Sequence, residues 1–229
     1  MKKILIALGI IFIVIGMYPL LISTSKSTTK TLNEEKKVDI PIYDYKKEIE
    51  NLRKQYNNDE IVAILEIPGV LKEPVTQAKD NNYYLTHDLY KKENKDGAIF
   101  LDYRINLNDY NKIIIYGHNN LNSVLPFRTL TYYSSKQYYE KHPKIFLYTL
   151  DGKKEFDIFS SYKENDNFDY VNLKDFNTTY EKHLNRLKNN SDYKTNIEIN
   201  KDSKIIILQT CTYTNNKSDG FRLVIGKQI

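Results

Sequence analysis

Lys204–Cys211 reads K-I-I-I-L-Q-T-C. Its four apolar residues, Ile205, Ile206, Ile207 and Leu208, are rich in β-branching and read as a buried strand. The strand runs into Thr210 and Cys211, and Cys211 is the only cysteine among 229 residues. A polar loop, Thr212 to Gly220, is expected next, then a second strand, F-R-L-V-I-G, with Arg222 at its start. A thiol closing one strand and a guanidinium opening the next can meet across a strand pair. There the positive charge would favour the thiolate and could hold an oxyanion. By itself a single Cys is most often a small buried hydrophobe, so its surroundings decide the reading.

A second segment repeats the design. Lys112–Asn119, K-I-I-I-Y-G-H-N, is an apolar strand that ends abruptly in Gly117 and His118. Around these two lie other short apolar runs separated by Gly, Pro, Asn and Asp: Ile61–Ile67, Pro74–Thr76, Ala98–Leu101, Lys144–Leu150 and Glu155–Tyr162. With Lys112–Tyr116, Lys204–Leu208 and Phe221–Gly226 they predict a mainly β domain of eight strands, a barrel or a sandwich. Helical spacing appears in Tyr43–Tyr56, with Tyr45, Ile49, Leu52 and Tyr56 on one face, and in Ser134–Lys141. A longer helix is predicted over Leu173–Lys188, where Leu173, Phe176, Tyr180, Leu184 and Leu187 form an apolar stripe.

The N-terminal region has a different character. Lys2 and Lys3 precede Ile4–Ile22, nineteen residues without a charge, long enough to cross a hydrocarbon core as a helix. The positive flank predicts a cytoplasmic tip (1–3), a transmembrane signal-anchor (4–22) and an exported remainder. A cleaved signal peptide is the rival, but no small-x-small site follows the run. Residues 23–42, rich in Ser, Thr, Lys and Glu, read as a stalk before a domain spanning 43–229.

Composition narrows the function classes. The net charge of +5, from 34 basic and 29 acidic residues, is interspersed without blocks. This suits a mildly basic surface beside an anionic envelope and argues against a nucleic-acid partner. One Cys excludes an intramolecular disulfide, and the absence of a second Cys or a paired His–carboxylate spacing speaks against a zinc site. Neither a metal nor a cofactor is expected. His87, His142 and His183 read as structural or solvated.

Y-G-H-N, L-Q-T-C and the downstream Arg222 together resemble the sortases, membrane-anchored cysteine transpeptidases of Gram-positive bacteria. The runs N-N-Y-Y-L-T-H-D (81–88) and G-A-I-F-L-D-Y-R (97–104) are similar to class B in particular. The likeness extends over roughly Ile61 to Lys227, with Ile207 where the family usually has Thr. It implies a sortase-type eight-stranded barrel with an N-terminal helix and a long helix between strands six and seven, lying over the substrate groove. It implies Cys211 as nucleophile, His118 as general acid and then base, and Arg222 as the holder of the carbonyl or oxyanion. Thr210, Asn81 and Leu85 would contact a C-terminal sorting signal, NPxTN-like or a related PxT motif, cut after Thr. The acceptor would be an amine of peptidoglycan or lipid II, and the partners would be surface proteins carrying the signal. Two other readings stand beside this one: a pilus-polymerising sortase using a Lys amine, and a non-catalytic membrane-tethered binding module. A papain-like hydrolase fits poorly, because there the Cys precedes the His and opens a helix.

Overall fold

The computed structural model describes residues 44–120, 124–165, 168–174, 178–215 and 217–229. The signal-anchor, the stalk and Phe176 lie outside them; among the described residues, no helix is long and apolar enough to cross a membrane.

The first element, helix α1 (Tyr45–Tyr56), starts where Asp44 caps it, its Oδ1 accepting from the Lys47 amide at 3.0 Å, and stops where Asn57 turns left-handed. One face of α1 carries Ile49, which is fully buried against Ile61, Ile64 and Tyr148. Eight strands follow: β1 (Ile61–Ile67), β2 (Leu71–Thr76), β3 (Phe100–Leu101), β4 (Lys112–Tyr116), β5 (Lys144–Thr149), β6 (Gly152–Glu164), β7 (Ile205–Thr214) and β8 (Lys217–Gln228). They close a barrel in the order β1-β2-β3-β4-β7-β8-β6-β5. All neighbours are antiparallel except β2 with β3 and β4 with β7.

The parallel β4–β7 pair explains why two stretches of this sequence read as unbroken apolar runs. Ile113–Ile115 on one strand and Ile205–Leu208 on the other have no exposed surface. Parallel strands in the middle of a sheet are covered on both faces, so alternation disappears from the sequence.

Three expectations need correction. Thr212–Gly220 is not a polar loop: β7 continues to Thr214 and β8 begins at Lys217, so Cys211 lies within a strand and Arg222 lies mid-strand. The polar residues of that hairpin are stitched together by Asp219, which accepts from Lys163 Nζ at 2.6 Å, from Thr212 Oγ1 at 2.7 Å and from Thr214 Oγ1. The long helix is also shorter than predicted. Thr179 caps α3 (Tyr180–Asn189) by accepting from the Lys182 amide, so Leu173 lies before the helix. Helix α2 (Lys136–Lys141), capped by Ser135, follows a 3-10 helix over Pro126–Ser134 that the sequence reading missed. Phe127, Leu130 and Tyr133, fully buried, recur every third residue, the period of that tighter helix.

Ile207 pairs with Ile114 on β4 and Ile225 on β8 and is fully buried. Ile207→Ala is expected to lower the unfolding free energy by about 2–5 kcal/mol, read as a shift of the urea midpoint at constant slope; a loss under about 1 kcal/mol would mean that the site collapses around the smaller side chain.

Candidate active site

The register of the parallel pair sets the site. Tyr116 on β4 lies beside Gln209 on β7. Continued two residues further, that register brings His118 alongside Cys211, and hydrogen bonds carry it past the end of β4. The Gly117 amide donates to the Gln209 carbonyl at 3.2 Å, and Thr210 Oγ1 donates to the Gly117 carbonyl at 2.8 Å. Asn119 Nδ2 then donates to the Cys211 carbonyl, and Tyr213 Oη to the Asn119 carbonyl, each at 2.9 Å. The strand-end loop of β4 is thus sewn to the cysteine strand on both sides of His118.

The His118 ring is fixed from the other side by the Leu85 carbonyl, 2.8 Å from Nε2. A carbonyl only accepts, so Nε2 carries a proton and the neutral ring keeps Nδ1 as its basic atom. Two glycines make room for this arrangement. A Cβ on Gly117 would lie 2.5 Å from the Phe127 ring. Gly97 has φ +59°, and a Cβ there would lie 2.4 Å from the Tyr84 carbonyl and 3.1 Å from His118 Cδ2.

His118 and Cys211 share a cavity of about 330 Å³. Its walls come from the Asn81–Leu85 turn, from Phe100 and Tyr116, and from Gln209, Thr210 and Phe221. Asn81, Leu85, Thr210, His118 and Cys211, singled out in the sequence, therefore converge. Thr210 spends its single hydroxyl proton on Gly117, which leaves the oxygen as an acceptor.

Arg222 does not line this cavity. Cys211 pairs with Phe221, and Arg222 pairs with Thr210, one step along the strand. Its side chain is 9% exposed and its Nη1 donates to Asp192 Oδ2. Its Nε is buried without a hydrogen-bond partner among the described residues.

Burial pushes the Cys211 thiol above its ordinary value. The fully buried Asp102 behaves oppositely: burial would raise it, but hydrogen bonds from Arg104, Tyr116 and Asn81 hold its carboxyl below the usual carboxylate range. Neither Asp102 nor Arg104 was singled out in the sequence, although both stand in the run G-A-I-F-L-D-Y-R; an Asp two residues before an Arg at the end of an apolar run was the available signal.

The helix expected to cover the groove contributes no residue to the cavity wall. Leu184 and Leu187 of α3 join the main core instead. The turn before it, a 3-10 helix over Phe168–Val171, comes to the edge, with Phe168 edge-on to Phe221 at 5.8 Å and Tyr170 Oη donating to Gln209 Oε1 at 2.8 Å. His183 of α3 is buried and sits 2.8 Å from Lys112 Nζ; burial and the Lys112 charge push it down to about 3. His87 stacks on Tyr83, and His142 Nδ1 lies 3.1 Å from the Pro68 carbonyl.

Known proteins share the family and the fold of this chain. The family model described as a sortase domain matches residues 65–227. Sortase B of Listeria monocytogenes serovar 1/2a is 31% identical over 185 residues, covering 80% of this chain and 74% of that protein. A Staphylococcus aureus sortase B–substrate complex has a TM-score of 0.71 at 28% identity, covering 81% of this chain and 86% of that one. A sortase B complexed with triglycine has a TM-score of 0.72 at 29% identity, covering 80% and 86%.

Because the thiol is raised by burial, it stays protonated at neutral pH and its thiolate grows only as pH rises above the ordinary cysteine range of about 8.5. Iodoacetamide labelling of Cys211 is therefore expected to accelerate steadily from pH 7 to 10. A rate already on its plateau at pH 7 would contradict burial as the dominant influence.

Proposed function

This chain belongs to the sortase family of cysteine transpeptidases, and from that premise we propose that it cuts a C-terminal sorting signal after Thr and passes the acyl part to a peptidoglycan amine. The observation that carries the reading is the parallel β4–β7 register, which sets His118 beside Cys211 over an apolar-walled groove. A substrate and a triglycine peptide are bound by the sortase B structures to which this fold is similar, which supports a peptide donor and an amine acceptor here.

In the proposed reaction the Cys211 thiol gives its proton to His118 as its sulfur attacks the scissile carbonyl of an NPxTN-like or related PxT signal. The tetrahedral intermediate collapses to a thioester as protonated His118 gives its proton to the leaving amine. The incoming amine then attacks the thioester, His118 takes its proton and returns it to the departing sulfur, and the C–S bond breaks to regenerate the thiol. Arg222 is the proposed holder of the oxyanion. Its Nε, buried without a hydrogen-bond partner among the described residues, supports that role. Asn81, Leu85 and Thr210 are the proposed contacts to the signal, joined by Tyr116, Gln209 and Phe221. The charge-free run Ile4–Ile22 is proposed to hold the chain in the cell membrane as a single-pass anchor, N-terminus cytoplasmic and catalytic domain outside.

Quenched fluorescent peptides bearing candidate motifs, incubated with and without an amine and followed by mass spectrometry, test the reading. Wild type should cleave after Thr and form the amide when amine is present. Cys211→Ala should abolish both products, and His118→Ala should reduce turnover by about 10²–10⁴-fold. Arg222→Ala is expected to cost about 10²–10³-fold, with little recovery in Arg222→Lys because an ammonium lacks the planar fork. Cleavage that survives Cys211→Ala would sink the proposal.

A further inference from the structure

Asp102 follows β3 and gathers Asn81, Tyr116 and Arg104 around its carboxylate. Its side chain has no exposed surface. Oδ1 accepts from the Arg104 amide at 3.0 Å and from Arg104 Nε at 2.8 Å. Oδ2 accepts from Arg104 Nη2 at 2.7 Å, from Tyr116 Oη at 2.9 Å and from Asn81 Nδ2 at 3.1 Å. A buried carboxylate tolerates its desolvation only when its lone pairs are filled in this way.

Each partner is constrained in a direction that matters for the groove. Asn81 donates to Asp102 and its Oδ1 accepts from the Tyr103 amide at 3.0 Å, so the amide cannot flip. Tyr116 gives its only hydroxyl proton to Asp102, which leaves its oxygen as an acceptor. Arg104 uses Nη2 a second time, donating to the Val171 carbonyl at 3.0 Å. Lys112 Nζ holds the carbonyls on either side, Tyr170 at 2.9 Å and Asn172 at 2.7 Å. Arg104 and Lys112 thus grip three successive carbonyls at the C-terminal end of the Phe168–Val171 turn. That turn is the one whose Tyr170 meets Gln209 and whose Phe168 meets Phe221 at the cavity.

We infer that Asp102 is the positioning residue of the sorting-signal groove: it fixes the hydrogen-bonding polarity of Asn81 and Tyr116 directly and the Phe168–Val171 turn through Arg104. The inference rests on the reading of this cavity as the signal's binding site. Asp102 lies outside the cavity wall and acts only through these neighbours. Asparagine in its place keeps the shape but presents an NH₂ group to donors that need an acceptor, and the fixed polarity is lost.

The test is steady-state cleavage of a panel of sorting peptides by the full chain as wild type, Asp102→Asn, Asn81→Ala, the double variant and Arg104→Gln. Cys211 alkylation rate and thermal midpoint are measured on each. Asp102→Asn is expected to raise KM for the preferred peptide about tenfold and to flatten discrimination among peptides, while the alkylation rate stays within about twofold of wild type. In the Asn81→Ala background the same change should add much less than tenfold, because the two residues act in one contact. If Asp102→Asn does not fold, Arg104→Gln, whose wild-type side chain is 37% exposed, carries the decision: a raised KM supports the inference. Strictly additive effects, or an unchanged KM in a folded Asp102→Asn or Arg104→Gln, would overturn it. Failure of wild type to cleave any peptide would instead overturn the groove reading beneath it.

Discussion

The parallel pairing of β4 with β7 is the constraint on which the rest of the molecule depends. In a parallel ladder the register is common to both strands, so a residue just past the end of one strand has a defined neighbour on the other. Here the neighbours are His118 and Cys211, and the register survives beyond the last β4 residue because Gly117 and Asn119 keep bonding to β7. The same pairing demands apolar cover on both faces, which ties the chemistry of the site to the hydrophobic core. A slip of one residue would turn the slipped strand's side chains to the opposite face and separate the thiol from the imidazole.

Around that pair the polar groups are arranged to hold shape. Asp102 gathers the Asn81 turn, Tyr116 and Arg104; Lys112 and Arg104 grip the turn after β6; Asp219 ties the β7–β8 hairpin just beyond Cys211. The Lys163 ammonium, with the Thr214 and Thr212 hydroxyls, holds the Asp219 carboxyl well below the usual carboxylate range. Burial pushes Lys112 down to about 7, helped by Arg186 and Arg104, while its Nζ donates to the Tyr170 and Asn172 carbonyls. Cys211 and His118 sit differently: the thiol is disfavoured as an anion by burial, and the histidine is held by one backbone carbonyl.

Strands β1 and β4 were legible to the residue, because their apolar runs are bounded by turn-forming residues. Helix α1 was legible to within two residues, and Asp44 explains the difference by capping where the pattern had simply begun. The β7–β8 hairpin was read as a loop because Thr212–Gly220 is polar throughout; its partly exposed faces leave no apolar alternation, and its order comes from side chains on Asp219. Helix α3 was drawn too long because Leu173 also contacts the core, from outside the helix. Periodicity records which residues are buried, and Thr179 records where the helix begins.

From the sequence alone came the eight-stranded β class, the two strands that carry His118 and Cys211, and the convergence of Asn81, Leu85 and Thr210 near them. Apolar patterning and a likeness of motifs are local properties, and they survive without coordinates. Only the tertiary structure decided which way each polar side chain points. Arg222 is engaged by Asp192, thirty residues earlier in the chain, and Asp102 is linked to Asn81 and, through Arg104, to Val171. These contacts join segments far apart in sequence, each hydrogen bond needs its donor and acceptor within about 3 Å, and no pattern along a single strand records such a meeting.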